Sequence, residues 1–101
     1  MKFFCIGDED TVAGFRLAGI AAQTATTPEQ TRTTVENVTS RPDYGVIIIT
    51  EELADGIRRQ IEAIRLERER PLIVEIPGPE GPLPGRKSLR EFVQEAVGMR
   101  I

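Results

Sequence analysis

The sequence has no histidine and no tryptophan, one cysteine, and only two lysines, Lys2 and Lys87, in 101 residues. Without histidine it lacks the commonest metal ligand and the usual acid/base group near neutral pH. The lone thiol, Cys5, cannot close an internal disulfide, and any hydroxyl or thiol nucleophile is left with only carboxylates to activate it. We therefore expect no catalysis by this chain alone, no catalytic or cofactor-binding residue, no cofactor and no metal site. The net charge is −3 and most arginines are interleaved with glutamates. No basic stripe results, which argues against nucleic acid as a partner. No apolar run approaches the ~20 residues of a membrane span, and the amino terminus lacks a signal peptide's long apolar region. A cytoplasmic protein with no direct membrane insertion is the expectation. Neither G-x-G-x-x-G nor a phosphate-loop motif occurs, so dinucleotide binding is disfavoured.

What is present is organised around Tyr44-Gly45-Val46-Ile47-Ile48-Ile49-Thr50-Glu51. Four consecutive β-branched apolar residues leave no polar side, as expected of a central strand in a parallel sheet covered on both faces. Lys2-Phe3-Phe4-Cys5-Ile6-Gly7 is a second such run, ending at Gly7. Asp8-Glu9-Asp10 supply a cap and first-turn negative charge for a helix ending near Leu17 or Ala18, with Gly19 as a left-handed stop. Gly14 interrupts this helix, and close approach to a neighbouring backbone is its expected use. Thr11, Phe15 and Ala18 share the expected inward face, while Leu17 points elsewhere and stays partly exposed.

Ile20 to Ala25 reads as a short edge strand. Thr27-Pro28-Glu29-Gln30 is a capping box that starts a helix to about Thr39, with a narrow inward face of Thr31, Thr34, Val35 and Val38. After Thr50, which is placed to cap, Leu53, Ile57, Ile61 and Ile64 recur at helical spacing. Arg58 with Glu62 and Arg65 with Glu69 form pairs four apart on the opposite face. Pro71-Leu72-Ile73-Val74-Glu75-Ile76-Pro77 is a strand bracketed by prolines. Its carboxylate, Glu75, is expected at an exposed strand edge or end rather than in a catalytic pocket. Gly78 to Lys87 is rich in proline and glycine and reads as a linker. Ser88-Leu89-Arg90-Glu91 is a further capping box, opening a helix with Leu89, Phe92, Val93 and Ala96 on one face.

Strand, helix, strand, helix, strand, helix, strand, loop, helix predicts an α/β fold. It is an open four-stranded parallel sheet with helices on both faces, Rossmann-like or flavodoxin-like in three layers. The organisation is residues 1–77 as the α/β domain, 78–87 as linker and 88–101 as a carboxy-terminal amphipathic helix. Ligands of such sheets sit beyond the carboxyl ends of strands. Those ends carry Asp8, Glu9 and Asp10, then Thr50, Glu51 and Glu52, then Pro77 and Gly78. An acidic rim of this kind fits Mg²⁺ in a phosphate-accepting receiver, so a receiver-like signalling or small-ligand-binding domain is the alternative reading. Thr50 stands where a receiver carries its phosphorylated aspartate, no lysine lies between Lys2 and Lys87, and one strand is missing. The plainer reading of Asp8-Glu9-Asp10 is a helix N-terminus satisfied by its own side chains.

Phe4 to Gly7 with Asp8-Glu9-Asp10-Thr11, Gly14-Phe15-Arg16-Leu17-Ala18-Gly19, Gly45 to Glu51, Pro71 to Pro77 and a terminal Ala96-Val97-Gly98 together closely resemble the F subunit of the prokaryotic V-type, or archaeal A-type, rotary ATPases. The resemblance covers nearly the whole length, and its most specific segment is Gly14 to Gly19. It implies a non-catalytic central-stalk component of a proton- or sodium-translocating ATP synthase, binding the coiled-coil D subunit and turning with it inside the catalytic A/B hexamer. It also implies a peripheral place in the soluble ATPase sector and a mobile carboxy-terminal helix that reaches the hexamer and modulates activity. By the same resemblance Phe15, Arg16 and Leu17 are partner contacts, Leu89, Phe92 and Val93 are the face that docks or swings, and Gly7, Gly14 and Gly19 are structural glycines. Ordinary core packing for Phe15 and a solvated charge for Arg16 are the plain alternatives.

Overall fold

A computed structural model describes residues 1–81. Its elements run β1 (Lys2–Gly7), α1 (Glu9–Leu17), β2 (Ala21–Thr24), α2 (Pro28–Thr39), β3 (Tyr44–Thr50), α3 (Glu51–Gly56), α4 (Arg58–Glu67) and β4 (Leu72–Ile76). The four strands form one sheet in the order β2-β1-β3-β4, every pair parallel. The expected α/β class and four-stranded parallel sheet are therefore found. The linker beyond Gly81 and the helix over 88–101 lie outside the described residues.

The order explains the layering. The step from β1 to β2 runs across the sheet in the opposite sense to the steps from β2 to β3 and from β3 to β4. Right-handed crossovers then place α1 on one face and α2, α3 and α4 on the other. The second face carries the main core, in which Ile6, Ile47, Ile49 and Ile73 of the strands meet Val35 and Val38 of α2, Ala54 of α3 and Ile57 and Ile61 beyond it. Phe4 packs against this core and meets the Tyr44 ring edge-on, 5.4 Å between centroids. On the α1 side, Val12 and Cys5 are buried outside that cluster.

The helices begin and end where local chemistry directs. Asp8 caps α1 by accepting the Thr11 N–H at 3.1 Å. Gly19, with φ 85°, takes the left-handed conformation that stops it, a region that costs any residue with a Cβ. Thr27 caps α2 by accepting the Gln30 N–H at 3.1 Å, and Gln30 reaches back to Thr26 rather than to Thr27. Thr31 and Thr34, buried on α2, donate their hydroxyls to the carbonyls of Thr27 and Gln30, both at 2.9 Å. With their hydroxyls so satisfied, the two threonines are buried on α2 beside Val35 and Val38.

Three expectations need correction. The helix after Thr50 is not continuous: it breaks at Ile57, φ −129° and ψ 35°, directly after Gly56. A glycine there costs helix propensity, and Gly56 faces the Pro28 ring of α2, where a Cβ would stand 3.4 Å from the nearest carbon. Ile57 at the break is buried, as are Ala54 before it and Ile61 after it. Thr50 makes no side-chain cap bond. On α1 the fully buried residue is Val12, whereas Thr11 and Phe15 are half-buried and Ala18 is exposed.

Candidate interaction surfaces

In an open parallel sheet the ligand crevice opens where neighbouring strands send their helices to opposite faces, here between the carboxyl ends of β1 and β3. The chain's own side chains occupy that place. A Cβ at Gly7 would lie 3.1 Å from Thr11 Cγ2 and 3.2 Å from Thr50 Cγ2. A side chain at position 7 would crowd the two threonine methyls that close over the end of β1, and Thr50 is buried. Asp8 is likewise engaged: its second oxygen accepts the Thr11 hydroxyl at 2.7 Å. Burial pushes the Asp8 pKa up, but the bonds from the Thr11 side chain and the backbone amides outweigh it and hold the group below its usual value. Glu51 is buried under the same rim and has an interaction partner. The acidic rim is thus partly the capping apparatus of α1, as the plainer reading had it for Asp8. Cys5 lies on β1 beneath this region, fully buried, and burial followed by the Asp8 charge pushes its thiol up to about 11. At neutral pH it is a small buried hydrophobe and not a nucleophile.

Glu75 departs from expectation. The register pairs it with Ile49, so its side chain lies on the face packed by α3 and α4. Its side chain is only 15% exposed and is gripped by two arginines of α4. Arg58 donates through both terminal nitrogens, Nη2 to Oε1 at 2.9 Å and Nη1 to Oε2, and Arg65 Nη2 stands 3.3 Å from Oε2. Arg58 also meets Asp55 and Glu62. The Glu75 and Asp55 hydrogen bonds hold its guanidinium pKa even further above neutrality than usual. The expected Arg58–Glu62 pair is present at 3.9 Å, but Arg65 turns to Glu62 and Glu75, not to Glu69. A fork of two guanidiniums on one carboxylate locks α4 to β4, and Glu75 is a structural clamp.

Apolar surface lies elsewhere. On α1, Leu17 is 90% exposed. Phe15, with Thr11, Gly14 and Ala18, borders a shallow groove of about 490 Å³ whose other wall is Ile76 to Pro79. A Cβ at Gly14 would meet nothing within 4 Å, so among the described residues close backbone approach is not its purpose. It leaves the groove wall low. Arg16 donates from Nη2 to the Ala22 carbonyl at 2.8 Å. A second apolar surface went unnoticed in the sequence. Phe3, Val46 and Leu72 stand in register across three strands on the α1 side of the sheet, and Phe3 and Leu72 are exposed. Among the described helices, α1 covers β1 and β2 there, and those that touch β3 and β4 lie on the other side. The adjacent Phe3 and Phe4 were the available signal, since neighbouring strand residues face opposite sides. Leu89, Phe92 and Val93 lie outside the described residues.

Among the described residues the strand ends are filled and large apolar side chains stand exposed, as on an attachment unit, and comparison with known proteins says of what. The family model described as ATP synthase (F/14-kDa) subunit matches residues 4–93. The chain belongs to that family. The F subunit of the A-type ATP synthase of Thermococcus sibiricus is 40% identical, covering 100% of this chain and 98% of that protein. Its counterpart in Thermococcus kodakarensis is 38% identical over the same shares. The crystal structure of the V-type ATP synthase F subunit from Archaeoglobus fulgidus superimposes with a TM-score of 0.61 at 32% identity, covering 74% of this chain and 95% of that one. As an F subunit of the A/V-type ATP synthases, this chain is an accessory and not a catalytic component, serving ATP synthesis and ion transport by a rotary machine. None of its described helices is long and apolar enough to cross a membrane.

Proposed function

We propose that this F subunit is a central-stalk, rotor component that binds the coiled-coil D subunit and turns with it, coupling rotation to ATP synthesis or hydrolysis in the A/B hexamer. It then sits peripheral to the membrane in the soluble, cytoplasmic sector. Residues 1–77 are the rigid body, 78–87 the linker, and the helix over 88–101 meets the hexamer through Leu89, Phe92 and Val93.

The observation that carries the reading is Leu17, a large apolar side chain 90% exposed at the end of α1, beside the groove that Phe15 borders. A coiled coil offers a ridge of side chains that such a surface can cover. Arg16, whose guanidinium already serves Ala22, contributes at the margin of the contact, and Leu17 and Phe15 dominate it. A part that transmits torque also needs stiffness. The Glu75 clamp and the unbroken Val46–Ile49 run supply it.

Co-expression with the D subunit of the same organism tests this. A stable one-to-one complex is expected, and Leu17→Asp should weaken it by about ten- to a hundredfold, the worth of burying one leucine. Full-strength binding by a folded Leu17→Asp chain, or no complex with the D subunit at all, refutes the reading. Limited proteolysis addresses the linker: prompt cleavage between Gly81 and Gly85 that leaves residues 1–77 intact is the expected pattern.

A further inference from the structure

We propose that Arg16 and Arg65 are guards on the two open edges of the sheet, preventing strand addition by a second copy of this chain. A sheet of four parallel strands in the order β2-β1-β3-β4 ends in β2 on one side and β4 on the other, and among the described residues nothing pairs with either outer edge. An unpaired edge is a template for another strand.

Which peptide groups face outward follows from the register. The Ala25 N–H donates to the Gly7 carbonyl at 3.1 Å. Residues alternate along a strand, so Gln23 also turns its peptide groups to β1, while Ala22 and Thr24 turn theirs to the open edge. Gly7 faces β2, so Ile6 faces β3, in agreement with Lys2 N–H donating to Asp43 at 2.9 Å. Ile6 pairs with Ile49 and Ile49 with Glu75. In a parallel ladder this turns Val74 and Ile76 toward β3 and leaves Ile73 and Glu75 facing out.

An arginine occupies one outward carbonyl on each edge. Arg16 Nη2 donates to Ala22 O at 2.8 Å, and Arg65 Nη2 donates to Ile73 O at 2.8 Å. Each edge has only two outward residues within its strand, so one guanidinium removes half of the carbonyls that an incoming strand needs. It also puts a charged, hydrated group in that strand's path. On β4, Pro71 and Pro77 flank the strand as a further barrier. On β2, the strand sequence Ala21-Ala22-Gln23-Thr24 has no charge, proline or lysine, and the guard comes from α1. A second copy is the occupant that fits, because its own small, uncharged β2 can lie against this one.

The test uses the full chain, as wild type, Arg16→Ala, Arg16→Ala/Arg65→Ala, and the control Arg32→Ala/Arg59→Ala, which removes two exposed arginines elsewhere. Both double variants take the net charge from −3 to −5, which opposes association. Light scattering over a wide concentration range is expected to give the 11.2 kDa monomer for wild type and control. The apparent dimer dissociation constant should fall by about tenfold for each guard removed, the worth of one charge-assisted hydrogen bond. Hydrogen exchange locates the contact: the outward Ala22 N–H should exchange rapidly in wild type and become protected in Arg16→Ala as concentration rises. Arg16→Lys, which keeps a donor and a charge, should restore the monomer. If the double variant does not fold, Arg16→Ala decides alone, since alanine at an exposed helical position favours the helix. The proposal is overturned if the Arg16→Ala chain is as monomeric as wild type with Ala22 unprotected, or if the control associates equally.

Discussion

Glu75→Ala separates a clamp from an idle surface charge, and its cost follows from the geometry. Each well-aligned charged hydrogen bond contributes roughly 1.5–3 kcal/mol. Glu75 accepts two from Arg58, with Arg65 close by. Two features pull the total down. The side chains of Arg58 and Arg65 are 34% and 37% exposed, so water screens the pairing and solvates them after the change. Both also keep another carboxylate: Arg58 has Asp55 and Glu62, and Arg65 has Glu62. The loss therefore falls short of the 3–5 kcal/mol typical of orphaning a fully buried charge, at about 2 kcal/mol. For a domain of this size that lowers the Tm by roughly 10 °C. Urea denaturation of Glu75→Ala, Arg58→Ala and the double variant measures the coupling directly. High salt should shrink it, because the screening length contracts to about 3 Å at 1 M. A Glu75→Ala cost within about 0.5 kcal/mol, the range of ordinary surface substitutions, would falsify the clamp.

Three further outcomes are expected. Asp8→Ala should cost about 1 kcal/mol at neutral pH as a lost helix cap. The Asp8 pKa is depressed in the folded chain, so this stabilisation is complete above its unfolded value and fades as pH falls below about 4; a gap between wild type and variant that persists undiminished in acid melts would contradict the capping role. Cys5, raised from 9.0 to about 11, should resist thiol reagents in the native chain and become labelled only at the rate of unfolding. Because the unfolded thiol ionises first, wild-type stability should also decline across that alkaline interval more steeply than that of Cys5→Ala. Gly7→Ala should cost roughly 1–3 kcal/mol through overpacking against Thr11 and Thr50, and Thr50→Ser in that background should recover part of it by deleting one of the crowded methyls; thermal melts showing no recovery would mean the contact is elsewhere.

Much of the fold was readable because it rests on short-range chemistry. The Thr27-Pro28-Glu29-Gln30 signal put the start of α2 at the right residue because a cap and a proline at the first turn are satisfied by their immediate neighbours. The run Val46–Ile49 announced an interior strand because four apolar branched residues have no other economical place. Misjudged residues were those whose partners are remote. Glu75 looked like an edge charge because Arg58 lies 17 positions away in sequence. Phe15 looked like core because the helix period does not say which of two adjacent stripes meets the sheet, and Val12 took that place.

From the residues alone came the strands, the caps, the absence of a reagent set and the kinship with the rotary-ATPase F subunits. These depend on composition, periodicity and neighbours within one helical turn. Only the assembled sheet decided that Thr11 and Thr50 close over Gly7, that Arg16 and Arg65 stand on opposite edges, and that Phe3 and Leu72 share a row that no described helix covers. Each of those depends on strand order and register, and a chain read in one dimension does not contain the alignment of one strand against another.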